Sequence, residues 1–409
     1  MPFLARRWLI CGLLLLATAI NYMDRQSMSN ASKRITTEMS LNEEQYGHLE
    51  TGFGLAMAVG SVLLGFLAEK TGVRFLYPCV LAAWSFAAIA SAWSTSFSQL
   101  LLCRIAFGFF EGGHWPCALK TSFAVLDDNE RTLGNSILQS GASVASILTP
   151  QVMKVLMTDD ISSWRYAFQV VGAAGLLWVV VWLLFMRESD FASKETPAQR
   201  DEKELLGPIL CSSRFWAIAI LILGAQTCWH LFRVWLPKFL QQGRGYDETA
   251  MLNFTSFYYI ATDVGCLAAG ALSLWLVRRF NMSAHQSKRR VYQLCAALTC
   301  CALAIPWLTK GNMLLAVILV VGAGALGLFP CYYSFVQELS TKSVAKLTGI
   351  LNLWVWGITS PMHSAFGKLV DQTKSFDLGM TCAGLAPLLG VVSLALLWRP
   401  AKSGQTRTA

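Results

Sequence analysis

Runs of about 20 largely apolar residues recur along the whole chain, near 8–28, 47–68, 75–94, 98–120, 132–157, 165–187, 212–240, 252–279, 290–309, 312–338, 346–369 and 377–398. An α-helix of about 20 residues crosses roughly 30 Å of hydrocarbon. The pattern therefore predicts an all-α membrane protein of about 12 transmembrane helices. Composition agrees: of 409 residues, 55% are hydrophobic and only 14% charged, with a mean hydropathy of +0.47, far too apolar for an ordinary soluble protein. Arg6-Arg7 and the run ending Ala17-Thr18-Ala19 superficially resemble a secretory leader, but the charged Asp24-Arg25 pair and the spans that follow favour an uncleaved first helix.

An even number of spans puts both termini on one side, and Lys and Arg mark the cytoplasm. The termini and even-numbered loops hold Arg6, Arg7, Lys70, Arg74, Lys120, Arg131, Arg187, Arg278, Arg279, Lys288, Lys342 and Arg399, among others. The odd loops hold fewer than half as many, so cytoplasmic termini are expected, in a cell inner (plasma) membrane. The net charge of +9 is then mostly a topology signal, with some contact with anionic lipid. No basic segment clusters with exposed aromatics, which argues against a nucleic-acid partner. The twelve Cys lie mostly inside apolar spans without Cys-x-x-Cys spacing and read as small hydrophobes.

Between Arg187 and Ser213 the chain turns polar, dividing it into an N-terminal six-helix bundle (1–187), a cytoplasmic linker (188–211) and a C-terminal six-helix bundle (212–409). The halves echo one another: Gly108, Trp115, Pro116 and Cys117 recur as Gly322, Phe329, Pro330 and Cys331, and Thr149-Pro150 as Ser360-Pro361. Two pseudo-symmetric halves with substrate held between them form a known transporter plan.

Four charges sit inside apolar stretches: Asp24 and Arg25 in span one, Arg104 and Glu111 in span four. Each costs about 2.5–3.5 kcal/mol or more at a bilayer centre, so a water-filled path is expected beside them. Ile318 and Ala325 stand at the span-ten positions matching Arg104 and Glu111, which assigns proton handling to the N-terminal half. Arg104 and Glu111 are seven residues apart, on one helical face but about 10 Å apart along it, so each needs another partner. For Arg104 the candidates are Asp24 and Tyr22; for Glu111, a site near the midplane without a cation would suit it to take and release a proton. Two plainer readings compete: Asp24-Arg25 marks an early end of span one in the headgroups, or Arg104 and Glu111 are purely structural. His114 either tunes Glu111 or packs as a hydrogen-bonded histidine.

Arg233 is either a second group for an anion or a snorkelling side chain, with Asp263 as an alternative partner. Gln139 and Ser140 on span five are candidate substrate hydrogen-bond partners. The C-terminal half offers aromatic, hydroxyl and amide groups, Asn352 among them, suited to hydroxyl recognition.

Gly65-Phe66-Leu67-Ala68-Glu69-Lys70-Thr71-Gly72-Val73-Arg74 joins spans two and three. Gly65 permits close helix contact and Gly72 a tight turn, while Glu69, Lys70 and Arg74 are placed to form a cytoplasmic gate that breaks and reforms. This string resembles the signature loop of the major facilitator superfamily. Asn21-Tyr22-Met23-Asp24-Arg25, Glu111 through Lys120, and Trp235-Leu236-Pro237-Lys238-Phe239-Leu240 make the chain similar to its anion:cation symporter family, most of all to bacterial hexuronate transporters. The resemblance implies the major facilitator fold, proton coupling by Asp24 and Glu111, Arg25 on the substrate carboxylate, Arg104 linking the two, and Tyr22 touching substrate. His114 departs from the asparagine expected there, and Arg233 is an unusual charge before the Trp-Leu-Pro string.

The expected function is proton-coupled import of a hexuronate such as glucuronate or galacturonate by a monomer, without cofactor or metal. An aldonate or aldarate carried by the same machinery is the alternative, and a transporter-like sugar-acid sensor the alternative from another class. A drug exporter fits less well, since span five has Gly141 but lacks a Gly-Pro-rich antiporter pattern. No metal cluster, nucleophile motif or phosphate loop suggests an enzyme.

Overall fold

The computed structural model describes residues 3–126, 128–187, 206–339 and 344–398; the side chains of 3–5, 69, 123, 128–136, 206, 337, 344–346 and 348 lie outside that description. Most of the expected 188–211 linker, and with it Lys342 and Arg399, also lies outside it. Sixteen helices follow one another among the described residues. They are α1 (Phe3–Asn30), α2 (Ser32–Glu38), α3 (Glu43–Thr71), α4 (Val73–Ser91), α5 (Phe97–Glu111), α6 (His114–Val125), α7 (Asp128–Leu156) and α8 (Trp164–Phe185), then α9 (Leu206–Leu210), α10 (Ser213–Lys238), α11 (Glu248–Phe280), α12 (Ala284–Thr299), α13 (Asn312–Leu339), α14 (Val344–Thr373), α15 (Asp377–Leu385) and α16 (Leu388–Leu396).

Among the described residues, eight segments are individually long and apolar enough to cross a membrane. Helices α1, α5 with α6, α7 and α14 complete the expected set. Span four, read from sequence as one helix, is two. Gly112 and Gly113 interrupt it, and Pro116 in the first turn of α6 has no N–H to return to the Gly112 carbonyl. Span twelve breaks likewise at Ala386-Pro387, and span nine runs from α12 into a 3₁₀ segment, Cys300–Trp307.

The chain divides into two compact units: 1–199 with 233–260 and 356–376, and 200–232 with 261–355 and 377–409. In the first, the core is aromatic: Trp178 and Trp182 stack at 4.8 Å, both edge-on to Tyr77. Each indole is tied to backbone, Trp178 Nε1 to the Leu13 carbonyl at 2.8 Å and Trp182 Nε1 to that of Arg74 at 2.9 Å. Helices α3 and α5 meet closely at glycines; a Cβ on Gly112 would lie 2.6 Å from the Met57 carbonyl oxygen. That close approach fixes the height of every α5 side chain against α3.

In the second unit, Phe215, Ile218, Tyr292, Leu328 and Phe335 belong to one buried cluster. Polar groups there are satisfied internally: Tyr292 Oη donates to the Pro387 carbonyl at 3.1 Å and Ser393 Oγ to that of Ala217 at 2.9 Å.

Candidate functional site

Helix α1 runs unbroken through Asp24 and Arg25, both buried at 6% exposure. Arg25 Nε donates to Glu111 Oε1 at 2.9 Å, and its Nη2 donates to the same oxygen. The guanidinium also faces the Tyr22 ring, 5.2 Å from its centroid, and that of Phe53 at 5.5 Å. Glu111 thus has a cation, Arg25, as the further partner that its spacing from Arg104 required. The contact is lateral: α1 packs beside α6, and sequence spacing within span four cannot see an arginine on another helix.

Arg104 lies within electrostatic reach of Asp24, one of its two expected partners, but its hydrogen bond goes elsewhere. Its Nη2 donates at 2.9 Å to Glu50 Oε1 on α3, with both side chains buried. Phe53 and Phe107, stacked at 5.7 Å, lie beneath the guanidinium, 4.5 and 5.4 Å from it. The glycine seam between α3 and α5 makes this pair possible. Glu50 carried a readable signal, an acid inside an apolar block, seven residues after Glu43 and so on the same helical face.

Asp24 and Arg104 line a small cavity with Ser27, Ser91 and Phe107, with room for about one water molecule. Asp24 Oδ2 and Glu111 Oε2 are buried with no hydrogen-bond partner among the described residues. His114, at 0% exposure, bonds Thr18 Oγ1 at 3.2 Å through Nε2 and Tyr77 Oη at 3.0 Å through Nδ1. It packs between α1 and α4 as a satisfied core histidine and does not contact Glu111.

Arg233 on α10 is 3% exposed, and none of its three guanidinium nitrogens has a hydrogen-bond partner among the described residues. It neither snorkels nor bonds Asp263. Arg25, Glu50 and Glu111 lie within its electrostatic reach. Tyr22 is partly buried, while Gln139, Ser140 and Asn352 are exposed.

At the signature loop, Gly72 has φ 77° and ψ 157°, a region essentially reserved for glycine. A Cβ on Gly65 would meet the Pro116 ring at 3.6 Å, and Lys120 Nζ donates to the Ala68 carbonyl at 2.7 Å, capping α3. Lys70 is exposed, Arg74 lies over the Phe75 ring, and the Glu69 side chain is outside the described set.

A second charged cluster, at the other end of α3, escaped sequence analysis. Lys238 is fully buried; its Nζ donates to both Glu43 oxygens at 2.7 and 2.6 Å and to Thr36 Oγ1 at 3.2 Å, over the Tyr46 ring. Asp371 of α14 accepts from the backbone N–H groups of Glu43 and Glu44 at 3.2 and 2.8 Å, and Asn42 accepts from Gln45 at 2.7 Å. The first three orphan donors of α3 are therefore filled, two of them from a distant helix. Arg34 pairs with Glu248, its Nε donating to Oε1 at 2.7 Å. Trp235 stacks on Phe366 at 4.6 Å and meets Tyr46 edge-on.

A bundle of membrane-crossing helices with paired and unpaired charges buried among them defines a membrane transporter. A family model described as Major Facilitator Superfamily matches residues 14–362, and the chain belongs to that superfamily. It is a multi-pass membrane transporter, not an enzyme. Curated relatives include the hexuronate transporter of Escherichia coli K12, 22% identical over 95% of this chain and 91% of its own length. The galacturonate transporter of Dickeya chrysanthemi is 22% identical over 80% of this chain and 92% of its own, and a probable sulfoacetate transporter of Cupriavidus necator 27% identical over 96% and 93%. Among solved structures, an inward-facing, unoccupied bacterial homologue of the human lysosomal transporter Spinster superposes with a TM-score of 0.77 at 17% identity, covering 97% of this chain and 95% of that one. The xylose transporter of E. coli gives 0.75 at 13% identity, covering 98% of each. These structures bear on the fold.

Proposed function

We propose that the protein imports a sugar acid together with protons by alternating access, working as a monomer in the bacterial inner membrane with both termini in the cytoplasm. The observation that carries this reading is the Arg25–Glu111 pair, buried beside Asp24 and Arg233. Protonating Glu111 removes the charge that holds Arg25 and frees its guanidinium for a carboxylate. Protonating Asp24 breaks no hydrogen bond at Oδ2. Asp24 and Glu111 are the coupling groups; Arg25, Tyr22, Arg233, Gln139 and Asn352 bind substrate; Arg104, held on Glu50, keeps α5 in register with α3 and faces Asp24.

Proton coupling has an energetic purpose. An anion entering a cell about 100 mV negative inside faces about 2.3 kcal/mol per charge. One proton per charge cancels that, leaving the pH gradient, roughly 1.4 kcal/mol per pH unit, to drive uptake. The Lys and Arg bias places the Gly65–Arg74 loop at the cytoplasm, where Glu69, Lys70 and Arg74 act as a gate. The Lys238–Glu43 cluster then closes the outer end.

The names of the relatives make hexuronates the first candidates, and Arg233, with no hydrogen-bond partner among the described residues, gives aldarates a place beside them. The test is proteoliposomes holding a pH dye, with glucuronate, galacturonate, galactonate and glucarate added outside in turn. Interior acidification with one of them, lost in Glu111→Gln, supports the reading. Binding without acidification or counterflow points to a sensor, and uptake without acidification to a facilitator or a sodium-coupled carrier.

A further inference from the structure

Arg233 is the one buried arginine of the site that the network leaves unexplained. Arg25 is held on Glu111 and Arg104 on Glu50. At 3% exposure, Arg233 has three nitrogens with no partner among the described residues. A buried guanidinium with no bonded carboxylate is expensive even with Glu50 and Glu111 in electrostatic reach, and its five donors are shaped to grip a carboxylate in two places. Among the carboxyls gathered here, Glu111 and Glu50 are taken, and Asp24 leaves Oδ2 equally without a donor, so Arg233 does not bond it.

The next step rests on the proposed proton symport. When Asp24 and Glu111 are both protonated, Arg104 keeps Glu50, Arg25 is released, and Arg233 remains as it was. The site then holds two guanidiniums without counter-charge. A single carboxylate neutralises only one of them, and the other would stay buried and charged through the transport cycle.

We propose that the substrate is a small organic dianion, a sugar acid with an acidic group at each end such as an aldarate, one group held by Arg25 and the other by Arg233. Two protonatable carboxyls match two substrate charges, so the loaded carrier crosses without net charge. Arg233 is then the group that selects dianion over monoanion.

Three six-carbon probes isolate the charge: glucarate has two carboxylates, glucuronate and gluconate one each. In proteoliposomes, glucarate is expected to half-saturate proton influx at a concentration at least about tenfold lower than either monoanion. It should carry in about two protons per molecule. Arg233→Gln should weaken glucarate by about tenfold more than glucuronate, and Arg233→Lys, which keeps the charge but not the fork, should recover part of the preference. Thermal melting of each variant verifies that it is folded. Equal or better use of glucuronate by the wild type, or equal weakening of both probes by Arg233→Gln, overturns the dianion assignment while leaving sugar-acid symport standing. Failure of all three probes to bind or to move protons removes both.

Discussion

Arg25 spends two donors on one oxygen of Glu111, Oε1, and leaves the other, Oε2, buried without a donor. The pair is thus bound on one side only, and a proton arriving at Oε2 meets no hydrogen bond that must first be broken. Glu111→Gln keeps an acceptor for Arg25 but cannot exchange a proton. Proton-driven accumulation is expected to be lost, while substrate counterflow persists. The comparison of uphill uptake with exchange in the same vesicles tests this; equal loss of both would remove Glu111 from coupling.

Glu50 and Arg104 offer a cleaner structural test. Removing one partner of a buried pair costs about 3–5 kcal/mol, because the other charge is left uncompensated. Glu50→Ala and Arg104→Ala should each lower the melting temperature sharply. The double variant should lose less than the sum, with a coupling energy of about 1–3 kcal/mol. Additive losses would show that the two side chains do not meet.

The Lys238–Glu43 cluster, proposed above to close the outer end, makes a prediction about accessibility. Tyr46 is at 0% exposure beneath the Lys238 cation and Trp235. Glu43→Gln leaves Lys238 without its counter-charge and weakens the closure. A cysteine placed at Tyr46 should then react with a small maleimide at least about tenfold faster than in the Glu43 background, a shift of about 1.4 kcal/mol in the opening equilibrium. Unchanged labelling would mean that the apolar contacts around Trp235 hold the closure alone.

Gly72 separates backbone strain from crowding. No atom lies within 4 Å of the site of its missing Cβ, so a methyl group there collides with nothing. Its φ of 77° with ψ of 157° nevertheless excludes other residues, and Gly72→Ala should cost about 1–3 kcal/mol. Thermal melting measures the loss. A neutral substitution would show that the turn between α3 and α4 relaxes freely.

The twelve apolar blocks were legible in sequence because a bilayer demands about 20 apolar residues per crossing and satisfies every backbone group within the helix. For the same reason Asp24, Arg25, Arg104, Glu111 and Arg233 stood out, as charges that hydrocarbon does not tolerate without cause. What periodicity could not supply was the partner. Arg104 was expected on span one, yet it pairs with Glu50, because Gly108 and Gly112 let α5 approach α3 closely. Glu111 found Arg25 through the packing of α1 beside α6, and Lys238 found a glutamate 195 residues earlier. Spacing along one helix determines which side chains share a face. Which helix that face meets depends on packing between segments far apart in the chain, and that only the tertiary structure decided.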